Sequence, residues 1–482
     1  MNLYSEFPKY RGELEYRCQV CGNKYPADEL LYTCPNCKGV FLLEDKRFEE
    51  LKKYPPETWQ EIFDKRAATK LYPLRGIFRF YELMAPILDP EDIVYLGEGH
   101  TPIVFASKGF QKYVGVKFAY KNEGQNPSAS FKDRGMACAF SYLKYLVRKK
   151  GYKDILAICA STGDTSASSA MYGAYVGDLI KSVVLLPHGK VTPQQLAQPL
   201  GSGATVLELP GVFDDCMKVV EYLADNYNVA LLNSKNSWRI LGQESYSYEI
   251  AQWFHWDVAG KVIFVPIGNA GNIAAIISGF IKLYELGIIK FLPKIIGVQS
   301  SHAAPVFKFY SEDKKTRKYK PVPVRPSVAQ AAMIGNPVSF PRVKKLVDKY
   351  ESIGGVFYVV QVEEQQIIEG MLVVNKHGHI ACTQGGECFA GMLKAKELDL
   401  IEKDEVCILD ATAHLLKFLK FQQMYIDNAF PPEYEITPKD EYKNFPKLIL
   451  DTSVKGSLSP EDFYKKAVEN IVRELGLKEK NR

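Results

Sequence analysis

The chain lacks an excess of charge of either sign. Its 61 Lys and Arg stand against 56 Asp and Glu, a formal charge of +5 over 482 residues. That near-balance gives no basis for binding nucleic acid or an anionic membrane surface. The first thirty residues contain no apolar signal core, so no secretory leader is expected. The apolar stretch Val262–Leu283 is about long enough to cross a bilayer. Its central Gly-Asn-Ala-Gly-Asn and Pro266 predict a buried strand, turn and helix instead. A disulfide framework is missing too: of ten cysteines, four fall in two close pairs and six are scattered. This is the usage of metal sites and free thiols in a reducing compartment, and the expected location is the cytoplasm.

The paired cysteines are Cys18-Gln-Val-Cys21 and Cys34-Pro-Asn-Cys37, twelve residues apart. Four thiolates so spaced can close a tetrahedral shell around zinc, and Gly22 and Pro35 suit the turns that aim the sulfurs inward. With all four ligand positions taken by protein, the zinc is structural. It would stabilise some forty residues that cannot bury much core alone. A redox reading lacks the flanking strand and helix. A nucleic-acid reading lacks a basic stripe, since Arg17, Lys24 and Lys38 are offset by Asp28 and Glu29.

Hydrophobic residues at 46% and charged residues at 24% describe a globular protein, and the length allows about three domains. From about residue 95 to 420, short apolar runs alternate with helical stretches. Ile155–Ala160, Ser182–Leu186, Thr205–Leu209, Val262–Pro266, Ile295–Gln299 and Val406–Leu409 read as strands buried on both faces of a mostly parallel sheet. The implied fold is doubly wound α/β, with ligand loops at the carboxyl ends of strands.

Four segments carry chemistry. Asn126-Pro-Ser-Ala-Ser-Phe-Lys-Asp-Arg-Gly135 places Lys132 after a turn and before an apolar run from Met136 that reads as a helix. A lysine crowded in this way can lose its proton and attack an aldehyde. Ser161-Thr-Gly-Asp-Thr-Ser-Ala-Ser168 follows a strand and opens a helix read at Ala167–Val176, a setting suited to an anion. In Val262–Asn272, Gly268 and Gly271 let the backbone approach a phosphate. Val406–Thr412 is a strand ending in a hydroxyl. Each segment alone is ambiguous between architecture and a ligand site.

As an ordered set they resemble the fold-type-II pyridoxal-phosphate enzymes, a two-lobed, tryptophan synthase β-like fold, and among them the threonine synthase family. Gly97-Glu-Gly-His-Thr-Pro102 is similar to that family's Gly-Glu-Gly-Asn-Thr-Pro, with His100 in place of Asn. The resemblance spans roughly residues 90–420. It implies that Lys132 is the Schiff-base and catalytic lysine. It further implies that Gly268, Asn269, Ala270, Gly271 and Asn272 cradle the cofactor phosphate, and that Thr412 faces the ring nitrogen. Asp164 falls where many relatives carry an Asn to the phenolic oxygen. A substrate phosphate would fall to Thr165, Asn233, Ser234 and Arg239. A homodimer is implied as well.

The implied reaction converts O-phospho-L-homoserine and water to L-threonine and phosphate. Two alternatives stay open. One is a related enzyme on another phosphorylated amino acid, such as phosphoserine with sulfite giving cysteate. The other is a silent homologue that only binds the cofactor or a metabolite. The implied division is residues 1–46 for the cysteine module, 47–125 with 240–420 for a larger lobe, and 126–239 for a smaller lobe. The tail 421–482 should wrap the body and end in a helix capped by Ser459.

Overall fold

The computed structural model describes residues 7–68, 71–161, 163–189, 193–211 and 213–480. Three sheets organise them. The first is antiparallel and built from β1 (Leu14–Cys18), β2 (Lys24–Pro26) and β3 (Phe41–Asp45), with β1 in the middle. Further along run β4 (Ile103–Phe105), β5 (Lys117–Asn122), β6 (Leu156–Ala160), β7 (Lys181–Pro187), β8 (Thr205–Leu209), β9 (Val229–Leu231), β10 (Lys261–Pro266), β11 (Lys294–Ser300), β12 (Phe357–Val362) and β13 (Val406–Ala411).

A four-stranded sheet, β8–β7–β6–β9, is parallel throughout. A six-stranded sheet runs β12–β11–β10–β13–β5–β4 and is parallel except for β4, which caps one edge antiparallel to β5. The central strands show why the sheet is covered on both sides. Val262, Phe264 and Leu409 face one apolar cluster, while Ile263, Val265 and Ile408 face another. Alternate residues of one strand are therefore equally apolar, as a strand buried on both faces requires.

The helices that bear on function are α1 (Lys132–Lys150), α2 (Asp164–Val176), α3 (Ser237–Gln243), α4 (Ser245–Trp253), α5 (Gly271–Glu285), α6 (Phe340–Ser352), α7 (Thr383–Glu397) and α8 (Pro460–Leu475). Helix α5 is buried along nearly its whole length, so Val262–Leu283 is an interior strand, turn and helix. Among the described residues, no helix is long and apolar enough to cross a membrane.

Several expectations need correction. Strand β8 is an edge, and its Thr205, Glu208 and neighbours are largely exposed rather than buried on both faces. Helix α1 begins at Lys132, four residues before Met136, because the Asp133 carboxylate accepts from the Ser128 N–H and hydroxyl and tightens the first turn. Helix α2 likewise begins at Asp164, not Ala167. The tail packs through Phe421, Tyr425, Tyr434 and Tyr442 against the core. Beyond that the wrap loosens: α8, capped by Ser459 as expected, buries none of its residues.

Candidate active site

The carboxyl ends of β6, β10 and β13 converge on one cleft. Lys132, Asp164, Ser234, Arg239, Gly268 to Asn272 and Thr412 all lie on its wall. Backbone pairing brings the first and last of these together. The Phe131 N–H donates to the Thr412 carbonyl at 2.9 Å, the His414 N–H donates to the Ala129 carbonyl at 3.0 Å, and Ser130 bridges Ala413. The loop before α1 is thus stitched to the end of β13, with Ala129 bent into the left-handed region to allow it. Burial pushes the Lys132 amine down to about 7. The Arg239 charge adds to this, Asp164 and Asp410 oppose it, and Lys417 adds a little more lowering. An amine so placed is a usable nucleophile near neutrality.

The segment from Gly268 to Asn272 joins β10 to α5. A Cβ at Gly268 would come within 2.9 Å of the Ala331 carbonyl and the Ala332 Cα, so the loop needs glycine there. Ala270 takes φ 61°, an unusual cost for alanine, just before the helix begins. The first amides of α5 have no carbonyl one turn back and are free to bind an anion. The Asn272 amide donates to Asp410 Oδ2 at 2.8 Å, so its side chain braces the cradle from behind.

Arg239 is almost wholly buried. It donates from Nη1 to the Leu232 carbonyl at 2.7 Å, while its Nε has no partner, and burial holds it down to about 10. Ser234 is on the cleft wall, its carbonyl held by Arg342 Nη1 at 2.8 Å. Asn233 and Thr165 are not on that wall. The Asn233 amide is committed to Ala160, accepting from its N–H at 3.0 Å and donating to its carbonyl at 2.7 Å. One amide hydrogen is left for any ligand, because the residue's first task is to close the end of β6. Thr165 is half-buried in the first turn of α2. Thr162, within the same loop, lies outside the described residues.

Three groups escaped sequence reasoning. Gln384 in α7 lines the cleft with both amide atoms buried and unpartnered. Asp410, on β13, has one bare oxygen and a carboxyl pushed well above its ordinary range by burial. Lys417 donates to the Asp164 carboxylate at 3.0 Å. Only Lys417 had a visible signal, as a lone cation just after Thr412. The unmet donors and acceptors of Gln384, Asp410 and Arg239, the glycine cradle and a low-pKa lysine together fit a phosphate-bearing aldehyde.

Away from the cleft, the sulfurs of Cys18, Cys21, Cys34 and Cys37 all lie within 4.8 Å of one another. The Cys18–Cys37 and Cys21–Cys34 separations are 3.5 and 3.6 Å. Tetrahedral zinc with sulfurs at ~2.3 Å would place them about 3.8 Å apart, so the cluster fits that ion. Gly22 takes φ 79° in the first knuckle, and a Cβ at Gly39 would strike Val20 and the Cys18 sulfur.

Sheet order, cradle and lysine together define an enzyme built for pyridoxal phosphate. Residues 94–410 match the family model for pyridoxal-phosphate dependent enzyme, and the chain belongs to that family. Within it the chain sides with the threonine synthases. It is 38% identical to threonine synthase of Methanocaldococcus jannaschii over 83% of this chain and 92% of that one. It is 32% identical to chloroplastic threonine synthase 2 of Arabidopsis thaliana, over 82% and 74%. The crystal structure of threonine synthase from Escherichia coli shares the fold, with a TM-score of 0.63 at 18% identity, over 87% of this chain and 94% of that one.

Proposed function

We infer that the enzyme converts O-phospho-L-homoserine and water to L-threonine and inorganic phosphate. The carrying observation is that one cleft holds two separate sets of anion donors beside Lys132: the glycine cradle at Gly268 to Asn272, and Arg239 with Ser234. A phosphorylated cofactor and a phosphorylated substrate need two such sets. Two identities above 30% to threonine synthases, over most of the chain, support the choice of substrate.

When bound, the cofactor supplies an electron sink next to the substrate's Cα. Lys132 would hold it through its amine and would serve as the acid–base group once substrate is bound. Its amine would take the Cα proton, return that proton to the bound substrate–cofactor pair, and only then, free again, take a proton from Cβ. Phosphate departs from Cγ with the electron pair of the C–O bond, Cγ is reprotonated, and water adds at Cβ. Arg239 fixes the leaving phosphate with charged donors, which align Cγ and stabilise the expelled dianion. Thr412 would offer the ring nitrogen a hydroxyl rather than a carboxylate, which would not favour a protonated ring. Zinc on the four cysteines is structural in this reading. The lobes divide as 47–125 with 240–420 and 126–239.

Phosphate release from phosphohomoserine compared with phosphoserine, with the amino-acid product identified, tests the reading. Threonine from the first and little turnover of the second is the expected result. Faster release from phosphoserine would overturn it.

A further inference from the structure

A second cavity, of about 200 Å³, lies outside the cofactor cleft and is lined by Arg66, Ala67, Arg75, Gly76, Arg79, Tyr95 and His100. Three arginines and a histidine share its wall and, among the described residues, no carboxylate does. Arg66 is already satisfied, with both Nη atoms at 2.7 Å from the Glu82 carboxylate. Arg75 is exposed and, among the described residues, has no carboxylate partner. Its guanidinium sits 6.0 Å from the Tyr95 ring. Arg79 is only 3% exposed. It reaches His100 Nδ1 at 3.1 Å and Glu249 at 3.6 Å, and its Nε is buried with no partner.

Glu249 cannot neutralise Arg79 by itself. The same carboxylate accepts from Lys121 at 2.7 Å and from Arg134 at 2.7 Å. Arg134 is also paired with Glu123 at 2.7 Å, and Lys121 lies 3.8 Å from it. Three buried basic groups therefore share two buried, ion-paired carboxylates, and burial holds Asp410, the third carboxyl in their field, toward its neutral form, which leaves the cluster short of negative charge. Asp64, the next acidic group, is exposed and turned to Gln252 and Trp256. A buried charge without a counter-ion is costly, and an unmet buried N–H adds to the cost. Water in the cavity can meet the hydrogen bonds but not the charge.

We propose that this cavity is an effector site for a small oxyanion, such as a phosphate-bearing or dicarboxylate metabolite of a few carbons. Paired guanidinium forks match planar or tetrahedral oxyanions, and the volume excludes much more. The site is tied to the chemistry by short links. The His100 N–H donates to Glu249 Oε1, and the Gly99 N–H donates to Asn126 Oδ1 at 2.9 Å. Asn126 opens the loop to Lys132, and Arg134 lies two residues beyond it on α1. An anion against Arg79 relieves the competition for Glu249 and settles the start of α1.

The test uses cofactor-loaded enzyme and measures inorganic phosphate binding by equilibrium dialysis, with malonate as a competitor to separate phosphate from carboxylate preference. Two binding classes are expected in the native protein. Arg75→Gln should weaken one of them about ten-fold or more and leave turnover in phosphate-free buffer unchanged, whereas Arg239→Lys should weaken only the other. Ala67→Glu, which places a carboxylate in the cavity, should raise Tm without phosphate and abolish the further rise that phosphate gives. Unchanged phosphate binding in Arg75→Gln would overturn the proposal. So would an Ala67→Glu protein that is less stable and still phosphate-responsive. If only the Arg239-sensitive class were seen, the active-site reading would stand and the effector site would fall.

Discussion

The Lys417 ammonium lies 3.0 Å from the Asp164 carboxylate, in a place where both side chains are mostly shielded from water. Lys417 also donates to the Ser128 carbonyl at 2.9 Å and to Gln198 Oε1 at 3.0 Å. One cation from the short turn Leu415–Phe418 after β13 thus holds the loop before Lys132, the start of α2 and the helix carrying Gln198. Asp164 and Lys417 together carry no net charge, so the pair would not repel an anionic oxygen placed beside it.

Lys417→Met should therefore cost about 3 kcal/mol, since it strands a buried carboxylate. Asp164→Asn in the same protein should restore most of the loss. Thermal unfolding of the two single variants and the double variant measures the coupling. Additive losses would mean that the two side chains do not act as a pair.

Lys132 gives a pH prediction with a definite sign. Its folded pKa is lowered to about 7 from an ordinary value near ~10.4, and only the unprotonated amine can capture an aldehyde. Capture of pyridoxal phosphate by cofactor-free enzyme should rise about ten-fold per pH unit below 7 and level off above it. Lys132→Ala should fold, as seen by circular dichroism, yet retain no cofactor after borohydride reduction. A capture rate that keeps climbing past pH 9 would place the lysine in a more solvated setting than this cleft.

Arg239→Lys should raise KM for phosphohomoserine roughly ten- to hundred-fold, the equivalent of a lost charge-assisted bond of about 1.5–3 kcal/mol. Lysine keeps the charge but not the paired donors. Cofactor colour and occupancy should be unchanged. Bleaching of the cofactor at constant KM would mean that the two phosphate sites are reversed.

One tightly held metal per chain should survive gel filtration of the native protein, and Cys18→Ser with Cys21→Ser should remove it. Cofactor should remain in the double variant, because the cradle at Gly268 to Asn272 belongs to a different sheet. A metal-free native protein of full thermal stability would rule out a structural ion.

The parts of the fold that the sequence revealed are those governed by local pattern. The runs around Ile263, Ile295 and Ile408 are too apolar to face water on either side, and each became an interior strand. Thr205–Leu209 differs from them locally, since Glu208 interrupts it, and its place at a sheet edge also depends on strand order. The start of α1 was misjudged because it is set by Asp133 reaching back to Ser128. Lys132 and the glycines from Gly268 to Gly271, which the sequence singles out at turns between strand and helix, line one cleft. Gln384 was not legible, since a glutamine in an apolar helix looks the same whether it faces a ligand or bonds its neighbours.

The carbonyl of Phe41 on β3 accepts from Ser237 on α3 at 2.9 Å and from Arg342 on α6 at 2.6 Å. Tyr16, also in the first sheet, accepts from Trp238 at 3.0 Å. These contacts impose an order on synthesis. The cysteine sheet leaves the ribosome first, yet its partner Arg342 follows 301 residues later. At about 5–20 residues per second that is a delay on the order of 15–60 s. Until Ser237, Trp238 and then Arg342 follow, the nascent sheet would have Tyr16 and Phe41 packed on little but each other, and a metal ion on the four cysteines would be one reinforcement within its own reach.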